Sequence, residues 1–138
     1  MSKPNILPIR IYYEDTDAGG IVFYANYLKF MERGRTEFLR DRGLENSKLF
    51  IDHKLLFVVR KVEADYLKPL KLDDMIALHT SVTSMGRSRI DMLQEIYKGE
   101  ERVFSGNVVM VCVDASGKPA ALPDHLKNLL STDAQESI

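Results

Sequence analysis

The sequence predicts an α+β fold in which a curved antiparallel sheet of five to six strands wraps around one long helix. Three observations predict it. One segment, residues 24–42, carries a helical period long enough to cross a domain. The chain that follows is rich in β-branched and aromatic residues, which favour strands. Short turn signals rather than helices join those strand-like segments, and this calls for an antiparallel meander.

Taken in order, "PIRIYY" reads as the first strand, because Ile9, Ile11 and Tyr13 alternate with Arg10 and Tyr12. "DAGG" ends it, since Gly19 and Gly20 permit backbone angles that other residues avoid. In the helix, Tyr27, Phe30, Met31, Gly34 and Phe38 fall on one stripe, with Lys29, Glu32, Arg33, Glu37, Arg40 and Arg42 mostly off it. Gly34 weakens the helix by about 1 kcal/mol relative to alanine, so its place on the stripe implies close approach to a sheet. Gly43 stands where a helix C-terminus favours glycine. A short helical piece is expected at 47–52. Four strand segments follow: "LLFVVRKVEADYL", "MIALHTSVTSM", "SRIDMLQEIYK" and "RVFSGNVVMVCVD". "ASGKP" closes the last with turn residues. In "LPDHLKNLLS", Pro123 and Asp124 mark the start of a short final helix. The helix stripe is the natural cover for one face of the sheet.

The 138 residues suit one domain, 1–138, long enough to bury roughly two thirds of its unfolded surface without staples. With 45% hydrophobic and 28% charged residues the composition is that of an ordinary globular chain. A formal net charge of −1 gives no global pull toward nucleic acid or an anionic membrane. No apolar run reaches the ~18–20 residues a membrane span needs, and "MSKPNILPIR" has no signal-peptide core. The one cysteine, Cys112 in "VVMVCVD", reads as a buried small hydrophobe. A cytoplasmic, reducing location fits these features.

The stretch "YYEDTDAGGIVFYANYLKF" collects Glu14, Asp15 and Asp17 just before two glycines and a helix start. Three readings compete. A solvated turn whose carboxylates bond nearby amides is the plainest. A hard-metal site is poorly served, because no calcium-loop spacing is present and the chain lacks the crossover helices that aspartyl-phosphate phosphatases require. The third reading is catalytic. A carboxylate beside a helix whose first N–H groups lack intrahelical partners makes a centre for negative charge developing on an acyl oxygen.

The same stretch resembles the 4-hydroxybenzoyl-CoA thioesterase family, closest to its Tol-Pal-associated acyl-CoA thioesterase (YbgC-type) branch. The similarity continues through "FVVRKVEADYLKPLKLDDMI" and "VVMVCVDASGKPAALP" and so covers nearly the whole chain. The resemblance implies the hotdog fold, a curved antiparallel sheet around one long helix. It also implies hydrolysis of an acyl-CoA thioester, with a short-chain or aromatic acyl group. Dimers joined through sheet edges, often paired into tetramers, with active sites at subunit interfaces, are implied as well. Asp17 takes the place of the family's catalytic carboxylate, as nucleophile or general base. The carbonyl-polarising amides map to the loop–helix junction, Ile21, Val22, Phe23 and Tyr24. The branch often carries His where this chain has Tyr24, so a His role there does not transfer, and Tyr24 is itself a candidate for contact with the thioester.

Asp15 is expected to order the turn and Glu14 to face away from the chemistry. Arg60, Lys61, Arg87 and Arg89 are candidates for the phosphates of coenzyme A. His53, His79 and His125 lie in no metal-ligand spacing. No cofactor or metal is expected, the coenzyme A thioester being substrate, although an acyl-carrier protein is an alternative acyl donor. Two other functions compete: a hotdog dehydratase, which calls for a His near the helix, and a non-catalytic acyl-carrier or acyl-CoA binding module, which would not need Asp17.

Overall fold

The computed structural model describes residues 3–131. In chain order the elements are β1 (Asn5–Arg10), a 3-10 turn (Tyr13–Asp15), α1 (Asn26–Asp41), α2 (Asn46–His53), β2 (Leu56–Tyr66), β3 (Met75–Met85), β4 (Arg89–Lys98), β5 (Glu101–Val113) and α3 (Asp124–Ser131). All strand pairs are antiparallel, in the order β1-β3-β4-β5-β2. This is the expected hotdog architecture with five strands. The meander is limited to β3–β4–β5. β2 does not pair with β3; the chain leaves it at one edge and crosses to the other side of the sheet through residues 67–74.

The helix stripe is buried as its period requires, from Tyr27 through Phe38, and Leu39 joins it. Opposite it lie Leu78, Val82, Ile90, Met92, Ile96, Phe104 and Val108, the inward residues of β3, β4 and β5. Gly34 is the point of closest approach. A Cβ there would stand 2.5 Å from Leu78 Cδ2 and 2.8 Å from Thr80 Oγ1. Two buried polar side chains meet at this point. Gln94 Nε2 donates to the Met31 carbonyl and to Thr80 Oγ1, both at 2.9 Å, and its Oε1 accepts from Arg35 at 3.0 Å. α1 closes as its glycine predicts: the Leu44 N–H reaches the Leu39 carbonyl and the Gly43 N–H the Arg40 carbonyl.

The first strand departs from expectation. The β1 ladder begins at Asn5 and ends at Arg10, so Tyr12 and Tyr13 lie outside it and are exposed. Asp15 Oδ2 accepts the Tyr12 N–H at 2.8 Å, turning the chain where alternation in the sequence continues. Cys112 is fully buried, and burial pushes its thiol pKa up.

Candidate active site

The loop between β1 and α1 is held by two short antiparallel stitches. Thr16 pairs with Val22, through Asp17 N–H to the Ile21 carbonyl (2.9 Å) and Phe23 N–H to the Asp15 carbonyl (3.2 Å). Ile21 pairs with Lys71, through Val22 N–H to the Leu70 carbonyl (2.8 Å) and Leu72 N–H to the Gly20 carbonyl (3.4 Å). Asp17 stands at the tip of this hairpin. Its carbonyl accepts the Gly20 N–H at 3.0 Å, and Gly20 adopts φ +81°, where a side chain would be strained. Asp17 Oδ1 accepts the Gly19 N–H at 2.9 Å, while Oδ2 has no partner among the described residues. The carboxylate is exposed in the subunit.

The helix start that follows the hairpin is open. Ala25 holds the N-cap position, where Ser, Thr, Asp or Asn would seal the end, and no side chain caps it. The N–H groups of Asn26, Tyr27 and Leu28 turn back to the carbonyls of Phe23, Tyr24 and Ala25. The N–H groups of Ile21, Tyr24 and Ala25 find no acceptor among the described residues. Val22 and Phe23, expected among the polarising amides, have theirs engaged by the two stitches. The open donors therefore bracket those two residues. Asn26 does not cap the helix; its Nδ2 donates to the Asp15 carbonyl at 2.8 Å and ties the helix to the hairpin.

Two hollows flank α1, and one of them adjoins this junction. One, of about 270 Å³, lies among Ile21, Tyr24, Tyr27, Tyr66 and Lys68. The other, of about 250 Å³, separates α1 from the inner face of β2 and is lined by Glu32, Arg35, Thr36, Phe57, Val59 and Met110. In the latter, burial lowers the Arg35 pKa.

A family model for the thioesterase-like superfamily matches residues 12–130. The chain belongs to this superfamily. The acyl-CoA thioester hydrolase YbgC of Escherichia coli is 43% identical over 118 residues, spanning 84% of this chain and 87% of that protein. The acyl-CoA thioesterase YbgC of Haemophilus influenzae is 39% identical, spanning 87% and 89%. Among solved structures, a probable thioesterase from Bartonella henselae superposes with a TM-score of 0.84 at 36% identity, covering 87% of this chain and 99% of that one.

On this thioesterase scaffold the basic candidates separate. Arg60, Lys61 and Arg89 line one cavity of about 390 Å³ together with Glu63 and Asp91. Arg89 is paired to Asp91 at 2.7 Å and Lys61 to Glu63 at 3.6 Å, so two of the three charges are partly answered. Arg87 lies outside that cavity, in the turn between β3 and β4, where its carbonyl accepts the Leu122 N–H. Glu14 is exposed, and Asp15 orders the turn as expected. Tyr24 is exposed, its ring 4.8 Å from that of Phe23.

Sequence reasoning missed two contributors. Tyr66, the last residue of β2, donates its hydroxyl to the Tyr24 carbonyl at 3.1 Å. Asp74 binds Lys98 at 3.0 Å and accepts the Lys71 N–H at 2.9 Å, bracing the segment that pairs with the Asp17 hairpin. Burial works to raise the Asp74 carboxyl, but these partners outweigh it and hold its pKa below the usual carboxylate range. Neither the Tyr66–Tyr24 nor the Asp74–Lys98 contact has a local signal, because both span long sequence separations.

Proposed function

We propose that this chain hydrolyses acyl-CoA thioesters at the hairpin–helix junction, with Asp17 as the reacting carboxylate. The observation that carries the proposal is a carboxylate oxygen with no partner among the described residues on the hairpin that leads into an uncapped helix start, whose Tyr24 and Ala25 N–H groups likewise find no acceptor among the described residues. The acyl oxygen lies against those donors, where the helix dipole favours negative charge. The acyl carbon then faces Asp17. The carboxylate either attacks it directly, forming a mixed anhydride that water opens, or takes a proton from a water that attacks. In both routes the C–S bond breaks, coenzyme A leaves as its thiol and the acyl group leaves as a carboxylic acid. The relatives' names support the reaction class, and the modest hollow at the helix start favours short-chain or aromatic acyl groups.

Residues 1–138 act as one domain in a cytoplasmic homo-oligomer, a dimer or a dimer of dimers. The dimer forms through β2, an eleven-residue edge strand that leaves Leu56, Val58, Val59, Val62 and Tyr66 exposed. In an isologous antiparallel contact, the first half of one β2 lies beside the last half of the other. Arg60 and Lys61, at the middle of β2, then lie near the two-fold axis of the contact, and with Arg89 they are the cations offered to the coenzyme A phosphates. Arg87 adds to this charge at the rim. An acyl-carrier protein is a second acyl donor that the same surface could receive.

The test is turnover of short-chain, long-chain and aromatic acyl-CoA by wild type and Asp17→Asn. We expect at least ~10²-fold lower kcat in the variant, the scale for losing a general base. Equal rates would remove Asp17 from the reaction, and no hydrolysis by either protein would favour a binding module.

A further inference from the structure

We propose that Tyr66 is a positioning residue of this centre, whose hydroxyl fixes and polarises the Tyr24–Ala25 peptide group that presents the Ala25 N–H to the acyl oxygen. The inference rests on the proposed function above. The Tyr24 carbonyl that accepts the Tyr66 hydroxyl at 3.1 Å belongs to the same peptide unit as the Ala25 N–H. A donor on the oxygen of a peptide group strengthens the N–H as a donor on its other side. The helix supplies only a long contact to that oxygen, from the Tyr27 N–H at 3.3 Å, so Tyr66 is its closer partner.

The phenol is held for this task. Its ring stands edge-on to Tyr27 at 4.8 Å and to Phe104 at 5.3 Å, while Tyr27 stacks on Phe104 at 5.1 Å. Tyr27 is itself buried, with a hydrogen bond to the Leu70 backbone. Burial, and then the neighbouring Tyr24, raise the Tyr66 pKa, so the hydroxyl keeps its proton and remains a donor at neutral pH. Tyr66 also ends β2 and pairs with Phe104 of β5, so the strand that forms the free edge of the sheet reaches the carbonyl-binding peptide through one side chain.

The test uses the full chain as wild type, Tyr66→Phe and a form carrying 3-fluorotyrosine at 66, assayed below the pKa of the fluorophenol. One neutral hydrogen bond sets the scale. Tyr66→Phe lowers kcat by about 3- to 10-fold with KM unchanged, and the fluorinated form, a stronger donor, restores kcat at least to the wild-type value. In Asp17→Asn, which holds unreacted substrate, the thioester C=O stretch of bound acyl-CoA shifts to lower frequency than in solution, and adding Tyr66→Phe reduces that shift. Wild-type kcat in Tyr66→Phe, a loss confined to KM or thermal stability, or an unchanged C=O stretch would each overturn the inference. If Asp17→Asn is inactive and Tyr66→Phe matches wild type, only this inference falls. If Asp17→Asn turns over like wild type, the proposed function falls with it.

Discussion

The two edges of the sheet are built on opposite plans. β1 is six residues long, carries Pro8 and is tied to α1, where Asn5 bonds Asp41 at 3.3 Å and Arg42 bonds the Lys3 carbonyl at 3.1 Å. A short strand with a proline presents few donors to another chain. β2 is eleven residues long, has no proline, and leaves most of both faces exposed. α1 packs over β1 and β3, so β2 is covered only in part, by α2, with Phe57 and Ala64 half-buried, and a hollow remains between it and α1. One edge is thus closed against pairing and the other is a ready template. The open edge ends at Tyr66, against the peptide proposed to hold the acyl oxygen. On the proposed function, assembly and chemistry meet on one side of the molecule, and the packed helix lies on the other.

A lysine placed on each edge gives the sharpest break in this comparison. Val62→Lys on β2 is expected to yield a monomer in sedimentation velocity and to cut turnover by on the order of 100-fold, through the loss of a partner that completes the site. Ile6→Lys on β1, a position already exposed, leaves both unchanged. If both lysines act alike, the two edges do not differ in role.

Gly34→Ala tests the packed side. The added methyl meets Leu78, Thr80 and Gln94 at 2.5–2.9 Å, and overpacking of this kind costs about 1–3 kcal/mol. Denaturant unfolding should show that loss while the subunit count stays as in wild type. An unchanged midpoint would mean that α1 is not seated on β3 as described.

The smallest effect is expected in the crossover that joins the two edges. The lowered Asp74 pKa means that its pairing stabilises the fold above about pH 4 and that this contribution is lost as pH falls through the folded-state pKa. The stability gap between wild type and Asp74→Asn should therefore be widest near pH 5–7 and close on acidification. A gap that persists unchanged at pH 3 would contradict the ionised pairing with Lys98.

Much of this was legible in the residues. The stripe from Tyr27 to Phe38 follows the helical period, and Gly34 within it signalled close approach, because only contact with the sheet justifies a glycine there. The last three strands follow β-branched runs punctuated by glycine turns. Alternation misled at Tyr12 and Tyr13, where a carboxylate three residues on captures the backbone. The place of β2 was hidden, since order along the chain does not set order across a sheet. Which amides stay open was hidden too. Leu70 and Asp15 occupy those of Val22 and Phe23, and the Leu70 contact comes from the middle of the crossover. Tyr66 could not be linked to Tyr24 across a separation of 42 residues without the fold.

The most direct test of the central claim, that the open edge completes the Asp17 centre, is wild-type turnover per subunit measured across a dilution series alongside the oligomeric state. Specific activity is expected to fall in step with dissociation and to return when the protein is concentrated. Full activity in a solution shown to contain only monomers would contradict it.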